Sequence, residues 1–151
     1  MDKKRNSYLI GLADEKLKNS KMFSNNEIAK IYDGKTAALS VSFAMSGLLP
    51  TLAFYYQEDK KKEEPYLRNI LDVVAQMIDN PDNNNSKFKD AGSLFGYAIK
   101  LEEEMKKSND ETEKNDETEK KECDEKLKDL KQSLIECAIA LKQVVRTYNL
   151  V

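Results

Sequence analysis

Residues 125–148, EKLKDLKQSLIECAIALKQVVRTY, carry the clearest structural pattern in the sequence. Their apolar residues recur at spacings of 3 and 4, at Leu127, Leu130, Leu134, Ala138, Leu141, Val145 and Tyr148. At 100° per residue these positions form one stripe about 80° wide. The pattern therefore predicts a last helix over about 124–148 that buries one face in a core.

The charges of this helix are sorted by sign. With Leu127 at 0°, four cations lie at about 40–100° around the axis and span about 27 Å along it. These four residues, here named the cationic flank, are Lys128, Lys131, Lys142 and Arg146. The acidic residues Glu125, Asp129 and Glu136 lie at about 160–200°. A solvated helix more often interleaves its charges for i,i+4 pairing, so the sorting favours a binding surface over chance.

The rest of the chain also shows helical patterns. Glycine (5) and proline (3) are scarce, which argues against an all-β fold. A first helix is predicted over 7–19, and a second begins at a cap at Ser24 or Asn25. Further helices are predicted through 36–57, over 65–79 with Pro65 in the first turn, and over 86–107 with Ser86 as cap. The prediction is an all-α fold, a compact bundle of about five to six helices, in a single domain over 1–151.

Residues 36–57, TAALSVSFAMSGLLPTLAFYYQ, contain no charge. They are apolar on most faces, which predicts a helix at the centre of the core whose aromatic side chains serve for packing. Pro50 predicts a kink or break near 46–50. The stretch is also long enough for a single membrane span, an alternative that its serine, threonine, glycine and proline residues oppose.

The net charge of −2 is set by one segment. Residues 101–124 hold 5 basic and 11 acidic residues, so the remainder has a net charge of +4. The segment repeats Asn-Asp-Glu-Thr-Glu-Lys at 109–114 and 115–120. Because it lacks large apolar residues, it predicts an acidic, low-complexity, flexible insertion over 108–122, before the last helix.

The composition makes most enzyme classes improbable. The chain has no histidine, and its two cysteines, Cys123 and Cys137, cannot form a four-ligand zinc site. No carboxylates form a motif with a base or metal partner. The expectation is a protein that is not an enzyme and has no cofactor, metal or small-molecule substrate. The first residues contain no apolar stretch of a secretory signal, so a cytoplasmic location with reduced thiols and no membrane association is expected.

A row of cations suits the backbone of a nucleic acid, which carries a regular row of phosphates. Lys35 and the other lysines of the N-terminal part would extend the same field. Sequence reading is not expected, because the chain has no helix-turn-helix, RNA-recognition or zinc-finger signature.

The stretch from Tyr32 onward resembles a known family. Tyr32 is followed by Gly47-Leu48 and then by Thr51-Leu52-Ala53-Phe54. This order is similar to that of the small helical subunit of the Cmr complex, the RNA-guided type III-B CRISPR effector. Two positions depart from the family pattern: Leu39-Ser40 stands where a Leu-Pro pair is typical, and Ser46 where an asparagine is typical.

The last helix also resembles the closing helix of that family, at Glu136, Leu141, Lys142 and Arg146. The resemblance implies a non-catalytic subunit in antiviral defence. Copies of it would stack into a short filament beside other Cmr subunits that hold the guide RNA, with a basic face toward the backbone of guide and target RNA. It implies RNA contact for Lys142 and Arg146. RNA contact for Lys128, Lys131 and Lys35 is predicted from the charge pattern alone. A soluble bundle with protein partners only is the alternative.

Overall fold

The computed structural model describes residues 2–57, 67–81, 86–110 and 116–151. This part of the chain is mostly helical, and the all-α prediction is confirmed. The helices are α1 (Lys3–Lys18), α2 (Lys30–Ser46), α3 (Leu48–Tyr56), α4 (Arg68–Met77), α5 (Ala91–Asp110) and α6 (Asp116–Val145). Three strands of two residues each, β1 (Phe23–Ser24), β2 (Glu27–Ile28) and β3 (Asn149–Leu150), form a small sheet.

Helix α6 occupies the centre of the bundle and packs against α1, α2, α4 and α5. Its buried face is wider than the predicted stripe, because Cys137, Ala140 and Val144 are also buried. On the wheel of α6 these residues extend the buried arc to about 160°. The wider arc follows from neighbours on several sides of the helix.

The prediction that 36–57 forms the central helix is wrong. The stretch divides between α2 and α3, and each helix has a face exposed to solvent. Leu39, Phe43 and Leu52 are fully buried, but Val41, Met45 and Phe54 are exposed by half or more. One side of this apolar stretch is therefore left in contact with solvent.

The predicted break within 36–57 is confirmed, and it lies at Gly47. This glycine has φ +93°, a left-handed conformation that ends α2 and starts α3. Pro50 lies in the first turn of α3, where a missing backbone N–H costs nothing. Across the hinge, the hydroxyls of Ser42 and Thr51 lie 2.9 Å apart, which holds the two helices side by side.

The prediction of a helix capped by Ser24 or Asn25 is wrong. Asn25 and Asn26 have φ values of 53° and 62° and form the turn between the antiparallel strands β1 and β2. Asparagine tolerates this left-handed conformation, which suits a two-residue hairpin turn. Strand β3 then pairs in parallel with β2, and the Lys30 amide donates to the Val151 carbonyl at 2.8 Å. The end of the chain is thereby fastened to the start of α2.

Helix α5 begins at Ala91, five residues later than the sequence predicts. Helix α4 begins at Arg68. The predicted start at Pro65 lies outside the described residues. Ser86 does not cap α5, because Asp79 and Lys87 pair in an isolated β-bridge. Instead, the carboxylate of Asp90 accepts from the Ser93 amide at 2.9 Å, and the Ser93 hydroxyl accepts from the Asp90 amide at 3.2 Å. This reciprocal pair caps the helix.

The predicted insertion, 108–122, is helical at both ends. Helix α5 continues to Asp110 and α6 begins at Asp116. Residues 111–115, the middle of the insertion, lie outside the described residues, so their flexibility stays a prediction. The last helix therefore starts well before the predicted residue 124.

Candidate nucleic-acid interface

The C-terminal end of the cationic flank adjoins α2. The C-terminal end of α6 meets the N-terminal end of α2, where Arg146 contacts Asp33, so the two helices run antiparallel. The acidic side of α6 adjoins α1 instead, where Arg5 donates to Glu136 at 2.5 Å. At these two contacts, a cation and an acid of α6 meet different neighbouring helices.

Lys131 and Lys142 are the two cations of the flank without a hydrogen-bond or ion-pair partner among the described residues. Both side chains are half-buried. A lysine in this position lays its aliphatic stem on apolar surface and keeps its ammonium in water. These two ammonium groups are therefore available to an anion without breaking an internal contact.

Lys128 is paired within its own helix. Its ammonium lies 2.9 Å from the carboxylate of Asp124, one turn earlier. This contact raises the pKa of Lys128, with the hydrogen bond to Asp124 as the main cause. Asp124 lies at about 60° on the wheel, among the cations. The sequence analysis placed the acidic residues of this helix on another side and missed Asp124, because it counted charges from Glu125 onward.

Arg146 is paired across the bundle. Its Nε donates to the Asp33 carboxylate at 3.0 Å, and the arginine side chain remains 55% exposed. Asp33 is 113 residues away in the sequence, so no local pattern predicts this contact. Two of the four cations of the flank are thus compensated by acids of the same chain.

Lys35 does not join the cationic flank. Its ammonium lies 6.0 Å from the centroid of the Phe54 ring on α3. Two residues along a helix are separated by about 200° around its axis, so Lys35 lies opposite the side of α2 on which Asp33 meets Arg146. The structure therefore brings together the four cations of α6 but places Lys35 at a different edge.

Exposed ion pairs are weak and are screened by salt. A phosphate oxygen can replace the carboxylate of Asp33 or Asp124 as acceptor, at the cost of releasing that acid to solvent. The arrangement offers a row of four cations on one helix. Two of them are unpaired within the described part of the chain, and the other two can exchange a carboxylate for a phosphate. Such a row can neutralise phosphates without reading bases.

Side chains that could bind a metal ion are dispersed in the described part of the chain. No three histidine, cysteine, aspartate or glutamate side chains are grouped so as to hold a metal ion among them. Cys137 borders a small cavity of about 80 Å³ that is lined by residues of α1, α6 and the C-terminal end of α4. Burial raises the pKa of the Cys137 thiol to about 12, so it is protonated and a poor nucleophile at neutral pH.

Within the described ranges, the helices are all too short or too polar to cross a lipid bilayer. No family model matches the chain, and comparisons with curated proteins and with solved structures gave no match.

Proposed function

We propose that this chain is a non-catalytic, cytoplasmic subunit of an RNA-guided type III-B CRISPR effector in antiviral defence, and that it contacts the backbone of guide and target RNA through the cationic flank. The observation that carries the proposal is the row of four cations on one side of α6. The resemblance of the chain to the small Cmr subunit, over Tyr32–Phe54 and along α6, supports the assignment to a CRISPR effector. Partners would be the other Cmr subunits and further copies of this chain.

The location of the row supports this function. Lys131 and Lys142 have no partner among the described residues, and the ion pairs of Lys128 and Arg146 are exposed. Phosphates along a strand repeat at a fixed distance, so several cations on one rigid helix can contact them together. Sequence specificity would come from base pairing between guide and target, as in other RNA-guided effectors.

The experiment is fluorescence anisotropy with the full chain and a short RNA duplex of arbitrary sequence over a series of salt concentrations. We expect log K to fall linearly with log salt, with a slope of about −0.9 for each phosphate neutralised. Lys131→Glu/Lys142→Glu removes the two unpaired cations. It should weaken binding at low salt and reduce the slope by about two. Lys128→Glu/Arg146→Glu should have a smaller effect, because each of those cations must first leave an acid.

The matched control is Lys89→Glu/Lys126→Glu, which makes the same change in net charge away from the cationic flank. Both lysines are exposed. If the control weakens binding as much as Lys131→Glu/Lys142→Glu, the RNA is attracted by net charge and not by the flank. Circular dichroism of each variant checks that helicity is unchanged.

A bundle that binds only protein partners is the second candidate. The exposed apolar side chains of α2 and α3 favour it. No detectable binding of the duplex at low salt would leave this second function standing.

A further inference from the structure

The outer face of α2 is an apolar stripe with nothing packed on it among the described residues. The stripe consists of Ile31, Gly34, Ala38, Val41 and Met45, at spacings of 3, 4, 3 and 4. Ile31 is 49% exposed, Val41 55% and Met45 83%. A surface helix ordinarily turns such a row toward a core, and a contiguous apolar patch in solvent typically marks an interaction site.

The geometry of this apolar stripe fits another helix. Its spacing equals that of the a and d positions of a coiled coil over two heptads, a length of about 21 Å. Gly34 and Ala38 are small, which permits close approach of a second helix axis. A Cβ at Gly34 would meet nothing within 4 Å, so no contact inside the described chain requires a glycine there. The exposed Phe54 of α3, beside Lys35, extends the patch along one side.

The charges at the border of the stripe are positive. Helix α2 has three charged residues, Lys30, Asp33 and Lys35. The carboxylate of Asp33 is engaged by Arg146, whereas Lys30 is exposed next to Ile31. Helix α3 has no charged residue. A partner helix would therefore meet ammonium groups on both sides of an apolar seam.

We infer that the apolar stripe binds an amphipathic helix of a partner protein, with apolar residues at spacings of 3 and 4 and aspartate or glutamate on both sides of them. A second copy of this chain fits less well. Pairing two stripes would bring Lys30 and Lys35 of both copies around a seam that offers no free acid. An aliphatic row also lacks the hydrogen-bond donors that a nucleic acid needs. The inference does not depend on RNA binding, since the stripe contains none of the cationic flank.

The test measures binding of a fluorescent designed peptide to the full chain by anisotropy. The peptide has about three heptads, with leucine at a and d and glutamate at e and g, and a second version has lysine at e and g. We expect the glutamate peptide to bind at least about tenfold more tightly than the lysine peptide. Val41→Gln/Met45→Gln should weaken that binding at least about tenfold, because it removes two of the three large apolar side chains of the stripe. Tyr8→Gln is the matched control, since Tyr8 is 56% exposed on α1, off the stripe, and should change nothing.

Equal affinity for the two peptides, absence of binding to the glutamate peptide, or unchanged binding by Val41→Gln/Met45→Gln would each overturn the inference. Sedimentation velocity adds a further outcome. Self-association that Val41→Gln/Met45→Gln abolishes would identify a second copy as the occupant and overturn it as well. Because this variant keeps the net charge, its RNA affinity should equal that of the wild type, which separates this result from failure of the proposed function.

Discussion

The thiol of Cys137 lies on the buried face of α6, near the ion pair of Arg5 with Glu136. Burial raises its pKa to about 12, because a thiolate there would lose its hydration. We expect native Cys123→Ser protein at pH 8 to react with a thiol reagent at least about a hundredfold more slowly than the same protein in denaturant. Comparable rates in the two states would show that Cys137 is accessible in the native protein.

The same environment makes stability depend on pH. The unfolded thiol ionises near pH 9 and the folded one only near pH 12, so the unfolded state releases its proton first. The contribution of Cys137 to the free energy of unfolding is therefore complete below pH 9 and falls as pH rises toward 12. Urea titrations should show a steeper loss above pH 9 for Cys123→Ser than for Cys123→Ser/Cys137→Ala. The second variant isolates the thiol from the lysines and tyrosines that titrate in the same range.

Single residues also show where sequence reasoning about the site succeeds and where it does not. The four cations of α6 could be placed on one flank because helix geometry alone fixes their angles. The i,i+4 spacing of Asp124 and Lys128, both inside the predicted helix, carried the signal for their ion pair. Nothing local indicates that Asp33 would reach Arg146, since that contact depends on how α2 docks on α6.

At the scale of elements, the two glycines of the α2–α3 region should respond in opposite ways to alanine. Gly47 has φ +93°, where an alanine Cβ is strained, so Gly47→Ala should lower the free energy of unfolding by about 1–2 kcal/mol. Gly34 lies inside α2 with open space around it. Gly34→Ala should therefore raise the free energy of unfolding by about 0.5–1 kcal/mol. Urea denaturation of both variants measures the two values.

Each glycine serves as the control for the other, because both substitutions add one methyl group. A loss of stability in Gly34→Ala would mean that some part of the protein packs closely on the apolar stripe. Equal, small effects at both positions would contradict the left-handed hinge that separates α2 from α3.

The elements that sequence analysis predicted best are those with a regular apolar period. Helix α6 was predicted from its spacing of 3 and 4, and the break at Gly47 from the proline beside it. The β1–β2 hairpin was missed because Ser24 and Asn25 suit a helix cap as well as a turn. The choice between a cap and a turn depends on strand β3, which lies at the other end of the sequence and pairs with β2.

At the scale of the whole molecule, the centre of the core was assigned to the wrong helix. Uniform apolarity made 36–57 a reasonable candidate, but burial depends on how many neighbours surround a helix. Helix α6 meets four helices, which is why small residues such as Ala138 and Ala140 are buried there. Helix α2 has more apolar residues than its neighbours cover, and the uncovered ones form the exposed apolar stripe.

The acidic repeat can be tested at the same scale. Leu101 is the last buried residue described on α5 and Cys123 the first described on α6, and the sequence between Met105 and Leu127 has no other large apolar residue. The Cys123 thiol lies 3.5 Å from the Glu104 carboxylate, so the two helices are already adjacent before the repeat begins. Replacing 109–120 by a short glycine-rich turn should therefore shift the melting midpoint by less than about 3 °C. A larger loss would mean that the repeat packs on the bundle.

The same deletion should strengthen RNA binding. Residues 109–120 hold 6 acidic and 2 basic residues, so their removal changes the net charge from −2 to +2. The field around the cationic flank becomes more positive, and the affinity for a duplex at low salt should rise, by about tenfold. At about 0.5 M salt the Debye length is only a few ångströms, so the difference from the full chain should vanish. A gain that persists at high salt would show that the repeat blocks the RNA site by direct contact and not through its charge.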